Sequence, residues 1–337
     1  MAVIKVAING FGRIGRHAFK VAWEKKNIEI VAINDLTDTR TLAHLLKYDT
    51  AYPDFEPVVS YDEHNIIVGK KKIPAFAEKD PSILPWKKLG VDVVIESTGK
   101  FTKVEAAQVH LTAGAKKVVI SAPGKGDIKT FVLGINEKQY AGEQIIDNAS
   151  CTTNCAAPVM MVLEKEFGIE KAMLTTIHSY TASQVLQDGP SKDLREARAA
   201  AQNMVPTTTG AAIAVAKTIP SLQGKFDGLS VRVPTITVSL TDITAVLKRS
   251  VTKDDVNKAM AQASRTYLKD ILGVSDLPLV SSDFIGDPRS SIVDTGLTNV
   301  VAGNLVKVVA WYDNEWGYAN RLVEMAELVA SYKGKKK

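Results

Sequence analysis

Two cysteines are the entire thiol content of this 337-residue chain, so no disulfide framework is available to staple it. No stretch approaches the roughly 18 consecutive apolar residues of a membrane helix, and no repeat or low-complexity segment breaks the pattern. An excess of one charge is also scarce. Lys and Arg number 42 against 37 Asp and Glu, and four of the surplus charges sit in the tail at Lys333, Lys335, Lys336 and Lys337. The remainder is nearly neutral and has no clustered basic face, which argues against specific nucleic-acid recognition. The start, M-A-V-I-K-V-A-I-N-G, enters an apolar run with no charged lead and no small-residue cleavage site. The expectation is therefore no secretory signal, no membrane partner and a cytoplasmic address. A hydrophobic fraction of 45% and a charged fraction of 23% describe an ordinary globular protein. Its length exceeds the about 250–300 residues at which single cores stop growing, so two domains are expected.

The apolar pattern gives each domain a class. V-I-K-V-A-I-N (3–9), a helical stretch over 13–25 and I-E-I-V-A-I-N (28–34) make a β-α-β unit. Further apolar runs at 91–96, 117–121 and 144–147 alternate with helical or turn segments, predicting a parallel sheet. Residues 58–76 break this rhythm and read as an antiparallel excursion. Beyond about residue 168, strand-like runs follow one another directly, as in K-A-M-L-T-T-I-H-S-Y and T-I-T-V-S-L-T-D-I-T-A-V-L. The fold class expected is α/β: a Rossmann-type parallel-sheet domain plus an α+β domain with a mixed or antiparallel sheet. Residues 319–332 read as a closing helix.

Gly10, Gly12 and Gly15 in G-F-G-R-I-G follow a strand and open a helix. Gly10 permits the tight turn, Gly12 a close approach of backbone to pyrophosphate, and Gly15 close helix–strand packing; the helix N-terminus then faces the anion. Asp35, at the end of the next strand, is placed to accept hydrogen bonds from ribose hydroxyls. Its carboxylate repels a 2′-phosphate, so NAD is expected rather than NADP. The alternative is a glycine turn with no ligand.

Both cysteines fall within N-A-S-C-T-T-N-C (148–155). Ser150 suits an N-cap and the apolar spacing beyond it predicts a helix, which puts Cys151 in the first turn, where unpaired N–H groups favour a thiolate. Cys155, one turn deeper, reads as a small buried residue, and Pro158 as a possible kink site. Five histidines are present: His17, His44, His64, His110 and His178. A helix to Phe167 advances about 24 Å, and a returning strand regains the level of Cys151 after about seven residues, near Thr176 to His178. That geometry nominates His178 as partner and base. The alternative is a structural histidine beside an inert buried thiol. Two cysteines at i, i+4 with one histidine match no familiar zinc pattern, so no metal is expected.

Thr207, Thr208, Thr209 and Gly210 precede an apolar helix, as an anion site or as a cap. Arg232, between two valines of a strand, needs a buried partner: a carboxylate or a ligand phosphate. Arg195 and Arg198 in K-D-L-R-E-A-R-A-A read as a solvated helix face or as further phosphate contacts.

Taken together, N-G-F-G-R-I-G-R, A-S-C-T-T-N-C, H-S-Y-T, P-T-T-T-G-A-A, R-V-P-T and W-Y-D-N-E-W-G-Y closely resemble the glyceraldehyde-3-phosphate dehydrogenase family, in order and over essentially the whole chain. The resemblance implies a homotetramer with an NAD domain at 1–150, completed by the C-terminal helix at 315–337, and a catalytic domain at 151–314. It implies Cys151 as nucleophile and His178 as base. Cofactor contacts are implied for Gly10, Phe11, Gly12, Arg13, Ile14, Gly15, Asp35, Lys79, Thr98, Ser121 and Asn314, with Tyr318 near the nicotinamide. Ser150, Thr152, Thr181, Arg195, Arg198, Thr209, Gly210 and Arg232 are implied to hold the substrate phosphate and inorganic phosphate. The reaction implied is oxidative phosphorylation of glyceraldehyde 3-phosphate to 1,3-bisphosphoglycerate; erythrose-4-phosphate dehydrogenase is the nearest alternative, and a silent NAD-sensing or RNA-binding relative a more distant one. Two departures stand out. Glu196 replaces the second of two consecutive arginines common in bacterial members, and Lys79 replaces an arginine near the adenine, keeping charge but losing a planar stacking surface.

Overall fold

A computed structural model describes residues 3–334; the lysines at 335–337, with the far end of the 315–337 segment, lie outside the described residues. The chain divides into two compact units, one of Met1–Phe131, Lys138–Ala149 and Ala319–Lys337, the other of Val132–Glu137 and Ser150–Tyr318.

The first unit contains β1 (Ile4–Asn9), α1 (Arg13–Glu24), β2 (Ile28–Asn34), α2 (Thr39–Lys47), β3 (Val59–Tyr61), β4 (Asn65–Val68), β5 (Lys71–Phe76), α3 (Trp86–Leu89), β6 (Val93–Glu96), α4 (Val104–Thr112), β7 (Lys117–Ile120) and β8 (Ile145–Asp147). One eight-stranded sheet results, in the order β3-β4-β5-β2-β1-β6-β7-β8. From β5 to β8 every pairing is parallel. Continuous apolar runs such as Val93 to Ile95 are buried on both faces, as a helix-covered parallel sheet demands. The 58–76 excursion is antiparallel across β3, β4 and β5. It does not stay outside the parallel sheet, however. β5 also pairs parallel to β2, with Ile33 opposite Ala75 and Asn34 opposite Phe76, so the excursion widens the sheet.

The second unit contains α5 (Cys151–Phe167), β9 (Ile169–Ser179), β10 (Val205–Thr208), α6 (Ala211–Thr218), β11 (Phe226–Val233), β12 (Ser239–Leu247), α7 (Lys253–Arg265), β13 (Leu272–Ser275), β14 (Ser291–Asp294), β15 (Asn299–Val301) and β16 (Leu305–Tyr312), and then α8 (Trp316–Ser331) returns the chain to the first. The sheet order is β10-β11-β9-β12-β16-β14-β13, with β15 against β16. It is mixed: β9 runs parallel to β11 and antiparallel to β12. β12 alternates buried and half-buried residues along its whole length, the signature of a sheet with one face on the core. The helix expected around Arg195 and Arg198 does not form. Residues 192–197 make turns, since Asp193 accepts the Arg195 N–H and Asp188 those of Ala199 and the Arg198 side chain, drawing the backbone out of helical register. Among the described residues, no helix is long and apolar enough to cross a membrane.

Candidate active site

In the first unit, β1 ends at Asn9 and the chain turns through Gly10 at φ 93°, where a Cβ would stand 2.6 Å from the Thr98 backbone nitrogen. A Cβ on Gly15 would meet the Gly10 oxygen at 2.1 Å, so α1 can approach β1 only over a glycine. Gly12 differs: a Cβ there meets nothing within 4 Å, so no part of the chain requires the glycine and the space over it is open to another molecule. α1 has no side-chain cap and no acidic residue in its first turn, so its N-terminus suits an anion. A cleft of about 440 Å³ lies here at the carboxyl ends of the strands, with Asn9, Gly12, Asp35, Lys79 and Thr98 in its walls. This is where a doubly wound sheet takes a dinucleotide. Asp35 braces the turn by accepting the Phe11 N–H at 2.7 Å and the Thr37 N–H at 3.0 Å, and carboxylate lone pairs remain for a ligand. These residues fit a dinucleotide.

The other residues nominated in this unit are placed unevenly. Phe11 offers only its backbone, because its ring is buried edge-on against Phe19. The Arg13 guanidinium is committed to Asp49 at 2.6 Å, and Ile14 is half-buried in the first turn. Ser121 follows β7, with its N–H bonded to the Glu96 carbonyl.

In the second unit, Ser150 caps α5 by accepting the Thr153 N–H at 3.1 Å, and Cys151 is the first helical residue. It is preceded by Ala149 at φ 53°, an uncommon conformation for a residue with a Cβ. The helix continues through Pro158 for 17 residues and stops at Gly168, φ 68°, from which β9 returns. His178 Nε2 then lies 3.5 Å from Cys151 Sγ. Arg232, opposite His178 in the β9–β11 register, brings Nη1 to 2.5 Å from His178 Nδ1, while the Ser179 carbonyl oxygen lies 2.7 Å from the same nitrogen. A neutral ring satisfies one of these at a time. Nδ1–H donating to Ser179 leaves Nε2 as a base facing sulfur; Nδ1 accepting from Arg232 makes Nε2 an N–H donor.

The surroundings of the pair oppose the resting thiolate expected at the helix mouth. Burial pushes the Cys151 thiol up despite the pull of Arg232 and the hydrogen bonds of Thr152. Burial first, and Arg232 second, push His178 down to about 3. Both directions favour an uncharged pair, thiol and neutral imidazole, against the pull of the helix mouth on a sulfur that is itself half-buried. Cys155 is fully buried 3.5 Å from Ser291 Oγ, and burial drives its thiol up to about 12, which makes it inert.

Of the residues nominated for anions, Arg232 touches the imidazole and Thr152 hydrogen-bonds the thiol. Ser150 spends its hydroxyl on the cap, and the Thr152 hydroxyl bonds Tyr312 at 2.9 Å. The Thr181 hydroxyl pairs with Ser183 at 3.0 Å, and Thr209 Oγ1 accepts the Ala211 N–H at the start of α6, where Gly210 is the N-cap. Thr208 pairs with Leu229, three residues from Arg232, so β10 ends about 10 Å along the strand from Arg232. Arg195 and Arg198 are on the exposed turns, the latter bound to Asp188 at 2.8 Å. Asn314 accepts the Ser179 and Ser239 hydroxyls at 3.0 and 2.9 Å, which fixes its amide and leaves the NH₂ as its donor end. Tyr318 is buried in the first turn of α8.

The sequence reading missed two supports of this geometry. Tyr312 OH lies 2.9 Å from both Thr152 Oγ1 and Thr176 Oγ1, tying the first turn of α5 to β9. Asp313 accepts the N–H groups of Gly286, Glu315 and Trp316 and so starts α8. The D-x-x signal before a helix was available for Asp313; nothing local marks Tyr312.

Residues 4–104 match a model described as glyceraldehyde 3-phosphate dehydrogenase, NAD binding domain, so this is an NAD-dependent oxidoreductase. Residues 150–314 match the corresponding C-terminal domain model. The chain is 53% identical over 329 residues to glyceraldehyde-3-phosphate dehydrogenase 1 of Bacillus cereus, covering 97% of this chain and 98% of that one. It is 52% identical over 330 residues to glyceraldehyde-3-phosphate dehydrogenase of Geobacillus stearothermophilus, covering 97% and 98%. The corresponding Mycobacterium avium protein is 54% identical over 334 residues, again covering 97% and 98%. The chain belongs to the glyceraldehyde 3-phosphate dehydrogenase family.

Proposed function

We propose that this protein oxidises glyceraldehyde 3-phosphate to 1,3-bisphosphoglycerate with NAD and inorganic phosphate, through a thioester on Cys151. The observation that carries the reading is the 3.5 Å approach of His178 Nε2 to Cys151 Sγ, with Arg232 against the far side of the ring. The thiol adds to the aldehyde carbon as His178 takes its proton, and the oxyanion so formed is held by the Cys151 backbone N–H at the helix mouth. Protonating that oxyanion from His178 gives a hemithioacetal. His178 then removes the hydroxyl proton as the carbon gives up hydride, leaving a thioester. NAD, when bound, supplies the hydride acceptor. A phosphate oxygen attacks the thioester carbon, the C–S bond breaks, and the departing sulfur recovers the proton from His178. Oxygen in place of sulfur would give an ester, which conserves less of the oxidation free energy.

Arg232 is assigned a second role beside phosphate binding. Its charge favours the tautomer with an N–H facing sulfur; a phosphate that takes up the guanidinium frees Nδ1 to donate to Ser179, which exposes Nε2 as the base. Gly10, Gly12, Gly15, Asp35, Lys79 and Thr98 are assigned to NAD; the roles of Asn314 and Tyr318 toward it rest on the family resemblance alone. The roles given to Ser150, Thr152, Thr181, Thr209, Gly210, Arg195 and Arg198 rest on the family resemblance, as do the homotetramer, the cytoplasmic address and the division into an NAD domain at 1–150 with the C-terminal helix and a catalytic domain at 151–314. The test is a phosphate-dependent NADH assay that compares glyceraldehyde 3-phosphate with erythrose 4-phosphate. A larger kcat/KM for glyceraldehyde 3-phosphate and dependence on phosphate support the reading; preference for erythrose 4-phosphate, or phosphate-independent turnover, refutes it.

A further inference from the structure

Glu96 ends β6 and is 1% exposed, so it cannot touch a ligand in the cleft above it. A carboxylate taken out of water is costly unless donors surround it, and this one has four. Oε1 accepts the Thr98 backbone N–H at 2.8 Å and the Thr98 hydroxyl at 2.5 Å. Oε2 accepts the Asn9 amide at 2.5 Å and faces His110 Nε2 at 2.9 Å. The chain of bonds continues both ways. Trp86 Nε1–H lies 3.2 Å from His110 Nδ1; the Asn34 amide donates to Asn9 Oδ1 at 2.7 Å, and Asn34 Oδ1 accepts the Glu78 N–H at 2.9 Å.

The direction of every bond in this chain is determined. An indole N–H only donates, so His110 Nδ1 accepts and its Nε2–H donates to Glu96. The Glu78 N–H only donates, so Asn34 presents its oxygen there and its NH₂ to Asn9, which must present its own NH₂ to Glu96. Only an acceptor at both carboxylate oxygens closes the series. Asn9, Asn34, Glu78 and Thr98 are also in the wall of the dinucleotide cleft, beside Asp35 and Lys79.

We propose that Glu96 is a positioning residue for the cofactor: through Asn9, Asn34 and Thr98 it sets which polar atoms the adenosine side of the cleft presents. The inference rests on reading this cleft as the NAD site. Glu96→Gln preserves size but puts an NH₂ against either the two Thr98 donors or the Asn9 and His110 donors. In the second case Asn9 must flip, then Asn34, and the mismatch ends on the Glu78 N–H beside Lys79. Either way the wall loses its fixed polarity.

The test is titration of the full-length protein with NAD, ADP-ribose and nicotinamide mononucleotide, for the wild type, Glu96→Gln, Thr98→Val and the double variant. Glu96→Gln is expected to weaken NAD and ADP-ribose about tenfold or more and to change nicotinamide mononucleotide by less than twofold. The KM for NAD rises with it while the KM for the aldehyde does not. Thr98→Val removes one of the four donors and is expected to weaken ADP-ribose about threefold, with a non-additive double variant because both act through one carboxylate. ADP-ribose binding within twofold of wild type in Glu96→Gln, even with a lowered melting temperature, overturns the proposal. If Glu96→Gln does not fold, unchanged ADP-ribose affinity in Thr98→Val overturns it. A wild-type protein that binds neither NAD nor ADP-ribose overturns instead the cofactor reading on which it stands.

Discussion

Removing one oxygen atom, in Tyr312→Phe, separates the support of the sulfur–imidazole pair from the pair itself. Tyr312 is 1% exposed and its hydroxyl is 2.9 Å from Thr152 Oγ1, one residue after the nucleophile, and 2.9 Å from Thr176 Oγ1, two residues before the histidine. Burial holds the phenol above its ordinary pKa, so it stays a donor throughout the working range. In the variant the phenyl ring still fills the space and opens no cavity. Thr176 retains the Leu240 carbonyl at 3.3 Å, but the hydroxyl of Thr152, 5% exposed, loses its Tyr312 partner. Each hydrogen bond lost is worth about 0.5–1.5 kcal/mol, and Thr152 keeps its bond to the Cys151 sulfur, so a destabilisation of about 1–3 kcal/mol is expected. At roughly 2–4 °C per kcal/mol for a domain of this size, the melting temperature drops by about 2–12 °C. The first turn of α5 then moves relative to β9, and a misplacement near 1 Å costs up to about 10² in rate. Single-turnover NADH formation is therefore expected to slow about 10- to 100-fold while NAD affinity holds. A variant with wild-type melting temperature and wild-type single-turnover rate refutes the reasoning, because it shows that Tyr312 neither holds nor aligns the pair.

Other perturbations isolate the remaining claims. Cys151→Ser should abolish turnover and leave NAD titration intact; an active serine variant removes the thioester from the scheme. His178→Asn should slow hydride transfer by about 10² to 10⁴, and an unchanged single-turnover rate takes the base role from it. The same variant has a pH signature. His178 at about 3 in the folded chain takes up its proton at about 6.5 when unfolded, so its contribution to stability is present above about 6.5 and is lost as pH falls toward 3. Denaturant titrations of His178→Asn should lack part of the acid slope seen in wild type; parallel slopes contradict a buried neutral imidazole. Inorganic phosphate should accelerate alkylation of Cys151 by iodoacetamide in wild type and not in His178→Asn, and equal acceleration in both refutes the tautomer switch assigned to Arg232.

The parallel core was legible because its strands are unbroken apolar runs between glycines, and chain arithmetic on a 17-residue helix and a returning strand was enough to nominate His178. The joining of β5 to β2 was not legible. It rests on two residue pairs, next to a proline that reads as an interruption. V-P-T-T, L-G-V-S and N-V-V are strands of four, four and three residues and look like loops until their neighbours are known. The capping box of Thr252 and Asp255 did announce α7 and passed unread. Arg195 and Arg198 misled because helix-forming residues were overruled by Asp188, which bonds the Ala199 backbone 11 residues away. At the site, sequence supplies the reactive groups and not their braces. Tyr312 meets threonines 160 and 136 positions distant, and Glu96 meets Asn9 across 87, contacts that only the assembled sheets create. For the thiolate expected at the helix mouth, the local dipole was visible in the sequence and the opposing desolvation of the sulfur was not.

Whether Cys151 carries the acyl group is decided by mixing the protein with NAD and glyceraldehyde 3-phosphate in the absence of phosphate, quenching in acid and mapping the peptides by mass spectrometry. A burst of about one NADH per active site is expected, with a phosphoglyceroyl thioester on Cys151 that is released when phosphate is restored before the quench. A burst with Cys151 unmodified, or an adduct on Cys155, contradicts that role for Cys151.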